Sequence, residues 1–192
     1  TVVKKSKVVY HLGALGNQAL VTDLPAEAYV SNALTTGILA ALCDKFGKRL
    51  LFSSTFVVYD FGTLKEGKEA NEDMLLPDPR KYPMHAKWLN EAETAFDRYV
   101  SDFIDNKGKM GKTPLEFVSE HLLKNPLPPA DHRMLGQNYP LSKLLAERLV
   151  LKRRNGIVMR VNNVYGPRQP EETMVPFFIK GIITARDGST FT

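Results

Sequence analysis

Tyr139 and Lys143 stand four residues apart in "QNYPLSKLLAERLVLKRRNG", Gln137 to Gly156. That spacing puts both side chains on one face of a helix. A phenol near pKa 10 is a poor base at neutral pH unless a nearby cation favours its phenolate. The pair could therefore handle a proton. With 7 tyrosines and 16 lysines in 192 residues, chance alone supplies roughly 0.6 such spacings. The spacing decides nothing by itself; its neighbours must.

Those neighbours alternate strand and helix. "KVVYH", Lys7 to His11, is a short apolar run that stops at the glycine-containing loop "LGALGN", as a buried strand feeding a loop does. Pro25 opens a helix to about Phe46, with Tyr29, Ala33, Ile38, Ala41 and Leu42 at helical spacing and Gly47 at its end. "KRLLFSST" reads as a second strand. The helix after Tyr139 stops at Gly156, where a third strand, "GIVMRVNNVYG", begins. Pro176 opens a last helix near Val175 to Ala185. Such alternation predicts an α/β fold with a parallel sheet covered by helices on both faces. Its ligand crevice lies at the strand C-terminal ends, where "HLGALGN", "SSTF" and "NNVYGP" should lie side by side.

Between the second strand and Gln137 the rhythm breaks. Trp88, Leu89, Ala92, Ala95, Phe96, Tyr99, Val100 and Phe103 form a helical stripe, interrupted at Lys107 to Gly111. Thr113-Pro114-Leu115-Glu116 is a capping box that starts a second helix, to about Lys124. The pair, about Lys87–Asp105 and Thr113–Lys124, is too small for a core of its own. Folding back over the strand ends, as a lid, would bury the stripes; a dimerisation arm is the competing expectation.

Composition narrows the function. An apolar share of 43% over 192 residues suits one domain. The longest apolar run, near Gly37 to Leu42, is far too short to cross a bilayer, and no secretory leader pattern follows Thr1 to Lys7. The single Cys43 excludes an internal disulfide and fits a reducing cytoplasm. A net charge of +5 is not a nucleic-acid signature; Lys152-Arg153-Arg154 sits in a last helical turn, where cations complement the helix dipole. Four histidines and one cysteine show no metal-ligand spacing. The expectation is a cytoplasmic protein with no nucleic-acid, membrane or metal partner.

Taken in order, "VVYHLGA", "NALTTG", "FSSTFVVYD", "NYPLSKLLAE" and "RVNNVYGPRQ" resemble the extended short-chain dehydrogenase/reductase family, especially its nucleotide-sugar epimerases and dehydratases. The resemblance implies a partial Rossmann-like, doubly wound sheet: 1–64 as its first part, 65–137 as a helical insertion, and 138–192 as its second part with the start of a substrate-binding region. It implies NAD as cofactor, with NADP not excluded, and a nucleotide-sugar substrate. Tyr139 resembles the general acid/base, and Lys143 the lysine that stabilises the phenolate and binds the nicotinamide ribose. Thr55 resembles the catalytic hydroxyl residue, also touching substrate. Leu12, Gly13, Ala14, Asn32 and Ser53 fall at cofactor-binding positions, and Asn163 and Val175 at substrate-binding ones. Family members commonly pair, so a homodimer through helices 26–46 and 139–154 is expected.

Departures temper this. Phe56 and Val57 follow Thr55 where dehydratases carry acids, so water elimination lacks a proton donor. Asp60 replaces the usual glycine. No G-x-G-x-x-G fingerprint is present, and the first strand and phosphate-binding turn would precede Thr1. The favoured expectation is epimerisation of a nucleotide sugar through a transient keto intermediate; the alternative is a non-catalytic Rossmann-like module acting in protein interactions.

Overall fold

The computed structural model describes residues 2–16, 18–62, 69–129, 137–162, 164–169 and 174–186. They form two compact units, residues 1–160 and 161–192. Thr55, Tyr139 and Lys143 lie in the first.

Arg49–Thr55 (β2) is the middle of a three-stranded parallel sheet. Val8–His11 (β1) flanks it in parallel register from Val8↔Arg49 to His11↔Phe52. On the other side lies Gly156–Val161 (β3), where Leu50 N–H donates to Asn155 O at 2.9 Å. The third strand ends at Val161, short of the run to Gly166 expected from its apolar residues. Paired residues of parallel strands point to the same face. Val9 with Leu50 and His11 with Phe52 therefore face the core, while Tyr10, 66% exposed, shares the opposite, more open face with Leu51. This is a partial Rossmann-like arrangement, a parallel sheet with helices around it.

Two short helices, Val2–Lys5 (α1) and Gln18–Asp23 (α2), flank β1 in sequence. The helical run from Pro25 is not uniform. Pro25–Tyr29 (α3) passes into a π turn at Val30–Leu34 and then into Thr35–Lys45 (α4). Wider i→i+5 turns of this kind mark functional sites more often than chance, and here the turn carries Asn32. Gly47 ends α4 at φ 62°. Lys48 N–H reaches Cys43 O at 2.7 Å and Gly47 N–H reaches Asp44 O at 3.1 Å. These bonds form a Schellman stop, which needs a left-handed residue that glycine supplies without strain. The chain then enters β2 at once. Thr55 ends β2 and caps a 3₁₀ turn, Phe56–Phe61, whose Val57 N–H it accepts at 3.4 Å.

The insertion supplies Pro83–Asp105 (α5) and Pro114–Lys124 (α6), the latter started by the Thr113/Glu116 capping box. Their stripes are buried on the helical layer: α5 against α4 and against Asn138–Leu151 (α7), and α6 against α3 and the π turn. The reason is geometric. Helices α4 and α7 pack their inner faces on β2 and carry apolar residues outward as well, and α5 covers that outer surface. Helix α7 is consequently buried all round from Pro140 to Glu147. Helix α5 thus packs on the helices expected to hold two copies together, and the stripes expected to fold across the strand ends lie on this layer. Met174–Arg186 (α8) belongs to the second unit.

Gly37 marks the crossing of α4, α5 and α7. A Cβ there would stand 3.0 Å from Leu149 Cδ1 and 3.1 Å from Val100 Cγ2. Gly37→Leu is expected to lower the melting temperature by several degrees, because overpacking a closed core costs about 1–3 kcal/mol. An unchanged thermal unfolding curve would mean that α5 does not dock there.

Candidate active site

Helix α7 presents Tyr139 in its first turn and Lys143 one turn later. Lys143 is 2% exposed. Its Nζ donates to Ser53 O at 2.6 Å and lies 4.3 Å from the centre of the Phe52 ring. Both partners belong to β2, so the sheet holds the cation from below. Burial lowers the Lys143 ammonium to about 8, and the charge of Glu147 pulls the other way. Tyr139 is half-buried. Burial raises its phenol above the usual value, and the nearby Thr55 hydroxyl partly opposes the rise. Thr55 and Tyr139, 84 positions apart in sequence, therefore lie near each other in space. At neutral pH the phenol carries its proton.

The loop after β1 is braced from the π turn. Asn32, fully buried, accepts from Leu15 N–H at 2.7 Å through Oδ1 and donates to Leu15 O and Ser142 Oγ, each at 3.1 Å. Ser142 in turn donates to Tyr139 O at 2.7 Å. One amide thus ties the loop to α7. Leu12, Gly13 and Ala14 remain exposed on that loop, Leu12 at 70%. A Cβ at Gly13 would meet only His11 Cε1, at an ordinary 3.8 Å. This leaves room for a ligand to approach the backbone.

Two groups without an assigned role from sequence reasoning join the site. His11 Nε2 lies 2.8 Å from Thr36 Oγ1, whose own proton goes to Asn32 O at 2.7 Å, so the imidazole is the donor. Burial and the Lys143 charge both lower the His11 pKa, keeping the ring neutral where it stacks on Phe52 at 5.5 Å. Glu147, one turn past Lys143, is gripped by Arg160 through Nε at 3.2 Å to each oxygen and Nη2 at 2.8 Å to Oε2. The Arg160 guanidinium also covers the Tyr59 ring at 4.9 Å. The strand-end position of His11 was the available signal; for Glu147 it was the four-residue step from Lys143. A cavity of about 430 Å³ beside this ion pair is lined by Tyr59, Glu147, Val158 and Arg160, and by neither Thr55 nor Tyr139.

The structure therefore brings Thr55, Tyr139, Lys143, Ser53, Asn32 and the loop at Leu12–Ala14 to one end of the sheet. Asn163 lies outside the described residues. Val175 stands in the first turn of α8 in the second unit.

Burial of Lys143 has a measurable consequence. Between about 8, its folded value, and 10.5, its ordinary one, the unfolded chain holds a proton that the folded chain releases. The folded state therefore gains stability as pH rises through that window and loses it as pH falls. Relative to Lys143→Met, the parent's denaturant midpoint is expected to climb from pH 8 to 10; a parallel pair of profiles would contradict the burial.

The donor set fits an NAD(P) cofactor: a desolvated cation at the strand ends, a phenol one turn away, and an open small-residue loop held by Asn32. Among the described residues no group of side chains could hold a metal ion, and no helix is long and apolar enough to cross a membrane. No curated protein and no solved structure matches the chain. A family model described as male sterility protein, an NAD-binding family, matches residues 1–186. The match reaches the extended short-chain dehydrogenase/reductase superfamily, and an epimerase or dehydratase type goes beyond it. With nearly its whole length matched, the chain belongs to the NAD-binding male sterility protein family, an NAD(P)-binding domain of oxidoreductase type.

Proposed function

We propose that the protein reduces the carbonyl of an acyl thioester, of the fatty acyl-coenzyme A class, with Tyr139 as proton donor. The observation that carries this is the Tyr139 phenol, kept in its protonated form by burial and placed near the Thr55 hydroxyl, with the Lys143 cation one turn behind. A protonated phenol is the form that a reduction consumes. The match to a family that is fatty acyl-coenzyme A reductase-like supports the substrate class.

Bound NAD(P)H would supply the hydride that reaches the acyl carbon. The Thr55 and Tyr139 hydroxyls would hold the carbonyl oxygen between them. As that oxygen gains charge, Tyr139 gives it a proton, and the Lys143 ammonium stabilises the phenolate left behind. The resulting hemithioacetal returns its hydroxyl proton to Tyr139 while the C–S bond breaks. The thiolate leaves, takes a proton from water, and an aldehyde remains. Lys143 and the loop at Leu12–Ala14 are the proposed contacts to the cofactor ribose and pyrophosphate.

Epimerisation of a nucleotide sugar would use the same three side chains, with Asn163 and Val175 on the sugar nucleotide. Its first step takes a proton, and so asks for the phenolate instead. The two readings are separable by assay. The protein with NADPH and palmitoyl-coenzyme A is expected to consume NADPH and release free thiol mole for mole. Tyr139→Phe should lower that rate about 10²- to 10⁴-fold while leaving the NADPH dissociation constant within about twofold. Turnover of a nucleotide hexose without thiol release would replace the substrate class. A protein inert toward both would be the non-catalytic module.

A further inference from the structure

One buried histidine of the insertion contacts chain on either side of the proposed reacting pair. His85, in the first turn of α5, is 4% exposed. Its ring lies against Phe61 at 5.3 Å and Tyr82 at 5.7 Å between centroids. Its Nε2 is 3.0 Å from Gln137 Oε1. Gln137 Nε2 donates to Pro128 O at 2.9 Å, so Oε1 is the accepting end and the imidazole donates.

The position of these partners is what matters. Phe61 closes the 3₁₀ turn that Thr55 caps. Gln137 precedes α7 by one residue and Tyr139 by two. The same corner is pinned twice more: Tyr82 Oη donates to Asp60 O at 3.1 Å, and Asp78 N–H donates to Phe61 O at 2.9 Å. His85 thus bridges the 3₁₀ turn that Thr55 caps and the start of α7, which carries Tyr139, without being part of either.

We propose that His85 is a positioning residue that sets the distance between the Thr55 hydroxyl and the Tyr139 phenol. The imidazole fixes Gln137, and with it the first turn of α7, against the 3₁₀ turn. Its role rests on Tyr139 being the proton donor. The insertion is then a clamp on the catalytic geometry as well as a cover for α4 and α7.

His85→Phe keeps an aromatic ring against Phe61 and Tyr82 and removes the donor; His85→Gln keeps a donor at similar reach. The test follows the ring-carbon NMR resonance of isotope-labelled Tyr139, identified by its loss in Tyr139→Phe, together with the steady-state kinetics of NADPH-dependent carbonyl reduction. Thr55 and Lys143, the groups that bear on the phenol, are retained in both variants. In His85→Phe the Tyr139 resonance is expected to move and kcat to fall about tenfold, with KM for NADPH within about twofold. His85→Gln should restore both. A parent-like resonance and kcat in His85→Phe, or a Gln variant as impaired as the Phe one, would overturn the proposal. Should His85→Phe fail to fold, Gln137→Met removes the acceptor while leaving the ring cluster, and a parent-like Tyr139 resonance there overturns it equally. The resonance is read without substrate, so it stands or falls independently of what Tyr139 does in catalysis.

Discussion

A lysine ammonium held out of water is costly unless something in the fold compensates it, and Lys143 is held so. Its Nζ has the Ser53 carbonyl at 2.6 Å and the face of Phe52 at 4.3 Å, both from the central strand. The helix that carries it is enclosed on one side by β2 and on the other by α4 and α5. The same enclosure acts oppositely on its two ionisable groups. It weakens the hold of Lys143 on its proton and strengthens that of Tyr139, because burial disfavours whichever form is charged. An anionic phenolate formed during reaction would reverse both effects at once, since each group then supplies the other's countercharge.

Secondary contacts keep that arrangement from relaxing. Asn32 could be placed on a helix face by sequence alone, yet its work depends on the π turn, which rotates it inward to Leu15 and Ser142. Through Ser142 the loop at the strand end is joined to the Tyr139 carbonyl. On the far side of Lys143, the forked contact from Arg160 holds Glu147 in place and fixes the negative charge that partly offsets desolvation of the lysine. Bonds of this kind resist breakage, because losing one strands a buried partner.

The strands, the helix starts at Pro25 and Thr113, and the stop at Gly47 were legible because each depends on local chemistry: a proline at the first turn, a capping box, a left-handed glycine. The motif order around Thr55, Tyr139 and Lys143 carried the superfamily for the same reason. Periodicity could not disclose the π turn at Val30–Leu34, since one extra residue in a turn leaves the apolar spacing almost unchanged. Nor could it say where the stripe of Trp88, Phe96 and Val100 would dock. A stripe states only that something covers it, and the outer face of α4 and α7 competed with the strand ends and with a second copy. The His85–Gln137 contact spans 52 residues, beyond any local signal.

The buried cation on which this arrangement depends can be observed directly. Lysine side chains isotope-labelled next to the amine can be titrated by NMR in the full chain, with Lys143→Met to identify the resonance. One lysine is expected to titrate at about 8, well apart from the exposed lysines near ~10.4. A Lys143 resonance that titrates together with the others would contradict the buried cation, and with it the electrostatic coupling assigned to Tyr139.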